Sequence, residues 1–230
     1  MKKIISISVM AFLLFAFTSI CLAQFEGVVN MKILQKSSKG EMDVTQEVFI
    51  KGDKMRSNMT TQKSPMGPIT MIIRRDKGVV WTVMNAMKMY METSLQKTEE
   101  MAKSMQRDTL KPTITKSGKT QTILGHKCEE ILVTTSDMKA SLWGTTELSS
   151  LAESMRRINS SSASAQSRWM QEVEKMKMLV LKIHEEHKSG MSSDLEITAI
   201  NKKAVDDSQF EIPAGYTKQE MPTGMPPMGK

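Results

Sequence analysis

Val29, Met31 and Ile33 alternate with Asn30 and Lys32, and Met42, Val44, Val48 and Ile50 share one parity with Asp43, Thr45 and Glu47 on the other. A period of two constrains a chain strongly. It places one set of side chains on a buried sheet face and the other on a wet face, and a one-residue slip inverts both. "SSKG" (Ser37 to Gly40) separates the two runs as a hairpin turn, and "KGDK" (Lys51 to Lys54), "RDKG" (Arg75 to Gly78) and "KSGK" (Lys116 to Lys119) punctuate further strands. Strands are predicted at Met55 to Thr60, Ile69 to Arg74, Val79 to Met84, Met87 to Glu92, Lys119 to Leu124, Lys127 to Thr135 and Lys139 to Gly144. Leu179, Leu181 and Ile183 alternate again, as do Leu195, Ile197 and Ala199.

Three stretches break the period. Leu95 to Arg107 is rich in helix formers. Leu148, Leu151, Ala152, Met155 and Ile158 recur at three and four, with Thr145 or Thr146 as the expected cap. Trp169, Val173 and Met176 repeat that spacing after the polar linker Asn159 to Ser167. The expected class is α+β: about ten antiparallel strands in a curved sheet wrapped around two or three helices that cover its concave face. No internal repeat is visible.

The first 23 residues read as an export signal. Lys2 and Lys3 precede an apolar stretch, Ile4 to Ile20, and "CLA" (Cys21 to Ala23) offers small residues for cleavage before Gln24. An uncleaved anchor and acylation at Cys21 are the alternatives. The stretch is short for a membrane span, and Ile20 is bulky for a lipoprotein site. The expected location is periplasmic or secreted. Loss of Lys2 and Lys3 lowers the formal charge from +7 to +5. The remaining cations are scattered among acids and aromatics are few, which argues against nucleic-acid binding and leaves peripheral membrane association open. After cleavage only Cys128 remains, so no intrachain disulfide can form. Gln24 onward suits a single domain, 24–216, followed by a flexible methionine- and proline-rich tail, 217–230.

Several phrases together carry a resemblance: "FEGVVNMKI", "IKGDKMRSNM", "GHKCEEILV", "LWGTTEL" and "DDSQFEIPAGYTKQEMP". In this order and spacing, from about Phe25 to Met221, the chain resembles the exported family catalogued as domain of unknown function 4412 (DUF4412). That family resembles in architecture the periplasmic lipoprotein carriers, unclosed antiparallel half-barrels that wrap helices and hold acyl chains. The resemblance implies a fold and a location. It implies no activity and no catalytic residues.

The chain has 23 methionines and 6 phenylalanines. In "MKMYMETS", a strand would put Met87, Met89 and Met91 on one face, away from Lys88, Tyr90 and Glu92. Thioethers are flexible and polarizable, so this wall suits either a ligand surface or the protein's own helices, through Met101, Met105, Met155 and Met176. The candidate hydrophobic-ligand residues are Trp81, Met87, Met89, Met91, Trp143, Met155 and Trp169. Met221, Met225 and Met228 of the tail have the soft ligands Cu(I) prefers, but the neighbouring prolines leave them without preorganisation. "HEEH" (His184 to His187) lacks the spacing of the zinc protease motif, and in a strand its histidines face opposite sides. His126 and Cys128 share a face, yet Glu129 and Glu130 disfavour a thiolate there, so Cys128 reads as a small core residue. Asp206 and Asp207 read as a solvated turn. No metal site and no cofactor is expected in the folded domain, and nothing supports an enzyme.

Three functions follow, in order of support. The first is a non-enzymatic envelope protein that holds a lipid or lipoprotein acyl chain. The second is a structural or interaction protein with a self-filled core, and the third is soft-metal handling.

Overall fold

The computed structural model describes residues 24–61, 67–105, 112–159 and 168–220. The expectations for the leader, for Cys21 and for Met221, Met225 and Met228 lie outside the described residues. The strands are β1 (Glu26–Ser37), β2 (Gly40–Lys51), β3 (Lys54–Thr61), β4 (Ile69–Arg74), β5 (Val79–Met84), β6 (Met89–Ser94), β7 (Thr113–Ile123), β8 (His126–Thr134), β9 (Met138–Thr145), β10 (Leu179–His187), β11 (Ser192–Lys202) and β12 (Thr217–Gln219). The helices are α1 (Leu95–Met105), α2 (Ser149–Asn159) and α3 (Arg168–Glu174).

All twelve strands form one unclosed sheet, in the order β12-β6-β5-β4-β3-β2-β1-β11-β10-β9-β8-β7. The chain meanders outward from β1 to β6 and resumes at the far edge with β7. It then meanders back until β11 lies beside β1, with Gly27 opposite Lys202. Every pairing is antiparallel except β12 on β6, where Thr217 sits beside Met89 and Gln219 beside Met91. Thr217–Gln219 therefore extend the sheet, although composition places them at the start of the tail.

The alternation works as expected across β2 to β5. Val48, Ile50, Met55, Ile73 and Val80 face a core that also takes Leu151 and Ile158 of α2 and Leu95 of α1. Ile72 and Trp81 occupy the intervening positions and point to the opposite face. There they meet Val83, Val205 and Phe210. On the other wing, Ile131, Val133, Ala140 and Leu142 pack against Trp169 and Val173 of α3.

A sheet wrapped around helices overstates this arrangement. The sheet is most of the fold, and among the described side chains of α1 the core takes Leu95. The second face of β4 and β5 is covered by the segment from Val205 to the short 3₁₀ turn ending at Phe210, not by an α-helix.

Four local expectations are corrected. The strand predicted from Met87 starts at Met89, because Asn85–Met87 form a 3₁₀ turn and Lys88 is left-handed at φ 51. The Asn85 side chain fixes that turn by donating to Pro68 O (3.2 Å) and Thr70 Oγ1 (3.1 Å) and accepting from Tyr216 Oη (3.1 Å). "KSGK" is not a turn between strands but a bulge inside β7, where the register against β8 shifts between Lys116 and Thr120. Thr145 ends β9 and accepts from Glu147 N (3.2 Å), so α2 starts later than a cap at Thr145 or Thr146 implies. Met176 lies just past α3, with its N–H on Val173 O (3.0 Å).

Candidate binding groove

The seven residues singled out from sequence are not brought together. Trp81 is buried under the C-terminal segment, its Nε1 donating to Glu92 Oε2 at 2.8 Å and Lys77 Nζ lying 5.3 Å from its ring centroid. Met89 and Met91 are half-buried on the opposite face of β6, since Glu92 and Tyr90 are the residues paired with Trp81 and Val83. Met87 is 47% exposed on its turn. Trp143 and Met155 are half-buried against the α2 core, and Trp169 is buried against the α3 core.

A groove of about 790 Å³ opens elsewhere, between α2, α3 and the entry to β10. Met155, Met170, Met178 and Leu179 form its apolar wall. Met155 belongs to the α2 core, and Met170 and Met178 to the α3 core, so the groove is the seam between the two. Gly144 holds the seam close to the sheet: a Cβ there would come within 3.1 Å of Met178 Cε and 3.4 Å of Leu179 O. The opposite end is pinned where Phe25 N donates to Ser154 Oγ on α2 (3.3 Å).

Charged groups surround the mouth. Arg156 grips Glu153 through Nε (3.0 Å) and Nη2 (2.6 Å), and this hydrogen bonding holds the Glu153 carboxyl below the ordinary carboxylate range. The nearby charges of Arg157 and Lys177 act in the same direction. Lys175 Nζ reaches Glu172 at 2.7 Å, and Arg157 Nη1 lies 3.5 Å from Asp53. Of the seven sequence candidates only Met155 lines this groove; Met170 and Met178 were missed. The signal for Met178 was the alternation of thioether and lysine in "EKMKMLV" (Glu174 to Val180), which straddles the end of α3 and the start of β10; Met170 lies within α3, next to Trp169.

The histidines, Cys128, Asp206 and Asp207 make contacts within the fold. Cys128 is fully buried, burial pushes its thiol up, and Sγ donates to the His126 backbone O at 3.5 Å. The His126 ring bonds Glu147 instead (2.8 Å). His184 lies 2.7 Å from Asp194 and 3.3 Å from Glu186, whereas His187 lies 3.7 Å from Glu185 on the other side of β10. Asp206 caps the short turn Asp207–Phe210, and Asp207 pairs with Lys54 (2.8 Å) and Lys51 (3.2 Å). Among the described residues no group of three or more His, Cys, Asp or Glu could hold a metal ion. No described helix is long and apolar enough to cross a membrane.

Solved structures resemble the chain loosely. PNGF-II, in a P21 crystal, is 17% identical at a TM-score of 0.41; the match covers 85% of this chain but only 31% of that one. A putative outer membrane lipoprotein-sorting protein domain from Vibrio parahaemolyticus is 10% identical at 0.35, with 81% and 89% covered. A DUF1329 family protein from Desulfovibrio piger is 9% identical at 0.36, with 82% and 90% covered. At such TM-scores these likenesses fix neither fold nor activity for this chain. No curated protein matches it. The profile of the family described as domain of unknown function (DUF4412) matches residues 25–216, from the first buried aromatic, Phe25, to Tyr216 beside β12, and the chain belongs to that family.

Proposed function

We propose that this chain is an exported, non-enzymatic binding protein of the cell envelope that holds an apolar chain, such as a lipid or acyl chain, in the seam between α2 and α3. The observation that carries this reading is the groove itself. Its volume of about 790 Å³ lies in the usual range for small-molecule sites, and its wall is built from three methionines and a leucine. Thioether side chains repack around ligands of varied shape at little cost. The leader Met1 to Ala23 supports export.

The sheet face first considered for the ligand is a weaker candidate. Leu151 and Ile158 of α2 are fully buried against it, which favours a self-filled centre there. The protein would thus be a scaffold across most of the sheet and a binding module only at the helical seam.

Native mass spectrometry of protein purified from its own envelope, with organic extraction of the same sample, tests the reading. An apolar adduct lost in Met170→Asp but retained in Met87→Asp is expected. A ligand-free protein that also ignores added lipids and fatty acids would overturn it.

A further inference from the structure

The seam is apolar along its wall but charged at its mouth, which bears on the polarity of the occupant. Four cationic and two acidic side chains line the groove. The two acids are Glu153, gripped by Arg156, and Glu174, whose charge also acts on Arg156. Lys175 has Glu172, and Arg157 has Asp53. Lys177 has no side-chain hydrogen bond or ion pair among the described residues, and its field reaches Glu153 at the mouth. Its backbone is left-handed at φ 53, a conformation that favours glycine, with its N–H on Glu174 O at 3.0 Å. A side chain therefore stands where a bare backbone would be less strained, and among the described residues its ammonium is a lip cation with no ion pair.

We propose that the groove takes a long-chain fatty acid, its tail along Met155, Met170, Met178 and Leu179 and its carboxylate at the Lys177 ammonium. This rests on the reading of the seam as an acyl-chain site and adds the head group. A neutral head would leave the Lys177 ammonium without an ion-pair partner among the described residues. A cationic head would meet Lys177 and Arg157.

Isothermal titration of the protein with sodium laurate, lauryl alcohol and lauryltrimethylammonium, below their micelle concentrations, separates the possibilities. Laurate is expected to bind about tenfold or more tighter than the alcohol, as a charge-assisted contact in a partly dry site allows, with the ammonium weakest. Lys177→Gly relieves the left-handed backbone, so the fold survives; it should bring laurate binding down to that of the alcohol, and Lys177→Arg should keep the preference for laurate. Equal binding of laurate and alcohol, or a preference that survives Lys177→Gly, overturns the head-group assignment and leaves the acyl site standing. Binding of none of the three overturns both.

Discussion

Replacing Phe210 by alanine tests how the second face of the sheet is held. Phe210 is fully buried among Ile72, Trp81, Val83 and Val205. It ends the turn Asp207–Phe210, and its carbonyl accepts from Arg74 Nη1 at 3.2 Å. That guanidinium also holds Asp76 (2.8 and 2.6 Å) and bonds Glu211. The polar contacts fix where the segment lies; Arg74 is buried while Asp76 and Glu211 are partly exposed, and the carbonyl at position 210 that Arg74 holds is kept in the substitution. The apolar anchor dominates. Truncating a fully buried phenylalanine costs about 3–5 kcal/mol from lost transfer energy and the cavity left behind. In a protein of this size that lowers Tm by roughly 6–20 °C. The loss also has a local reading, because the segment can peel from the sheet without global unfolding. Thermal melts should show the drop, and hydrogen exchange should show lost protection at Thr217–Gln219, whose strand neighbour among the described residues is β6. Phe210→Leu keeps most of the volume and should cost much less. If Phe210→Ala costs under about 1 kcal/mol and leaves exchange at β12 unchanged, the second face does not depend on this anchor.

Three further outcomes are expected. In Gly27→Ala the new Cβ would lie 2.3 Å from Asn201 O and 2.8 Å from the Phe25 ring, so a backbone shift between β1 and β11 is forced; urea titration should show a loss of about 2–3 kcal/mol. Met55→Ala, in the core, should cost about 2–4 kcal/mol and Met87→Ala, on an exposed turn, under about 0.5 kcal/mol, and similar values for the two would contradict the assigned burial. Asp194 holds the His184 imidazole above its ordinary pKa, so its contribution is complete below the unfolded value near 6.5 and is lost as pH rises through the higher folded value; a denaturation midpoint that falls with pH from neutrality upward should flatten in His184→Gln.

Period-two reading found the strands because each pleat shows its solvent face in the sequence, but it could not find partners that lie far away. Nothing in Val29, Met31 and Ile33 says that β1 pairs with β11, some 170 residues on, as Val29 does with Ile200. Parity is a local property, and pairing is decided by what the whole chain can bury. The bulge at Lys116 to Thr120 escaped for a related reason: a glycine in a polar run reads alike as a turn or as an extra residue within a strand. One signal was present and unused. "ITMII" and "VVWTVM" are apolar on both parities, which is how a strand buried on both faces reads. Those two runs announce a second cover, and Val205 with Phe210 supplies it.

The groove was harder to see than the fold, because no single element contains it. Met155 was picked from the stripe of α2, but its partners Met170 and Met178 come from α3 and from the residue before β10. A helical period says which side of α3 is apolar. It does not say that α2 and α3 sit on neighbouring cores with a gap between them. The methionine count drew attention to Met87, Met89 and Met91 by proximity in sequence, yet their surroundings separate them. Met87 stands on an exposed turn, Met89 and Met91 lie half-buried on an outer strand pair, and Met55 is core. The same thioether packs, idles or lines a groove according to what faces it. For a flexible side chain that is decided by tertiary contacts, so the binding residues of a methionine-rich chain are found where two cores meet and not where methionines cluster along the sequence.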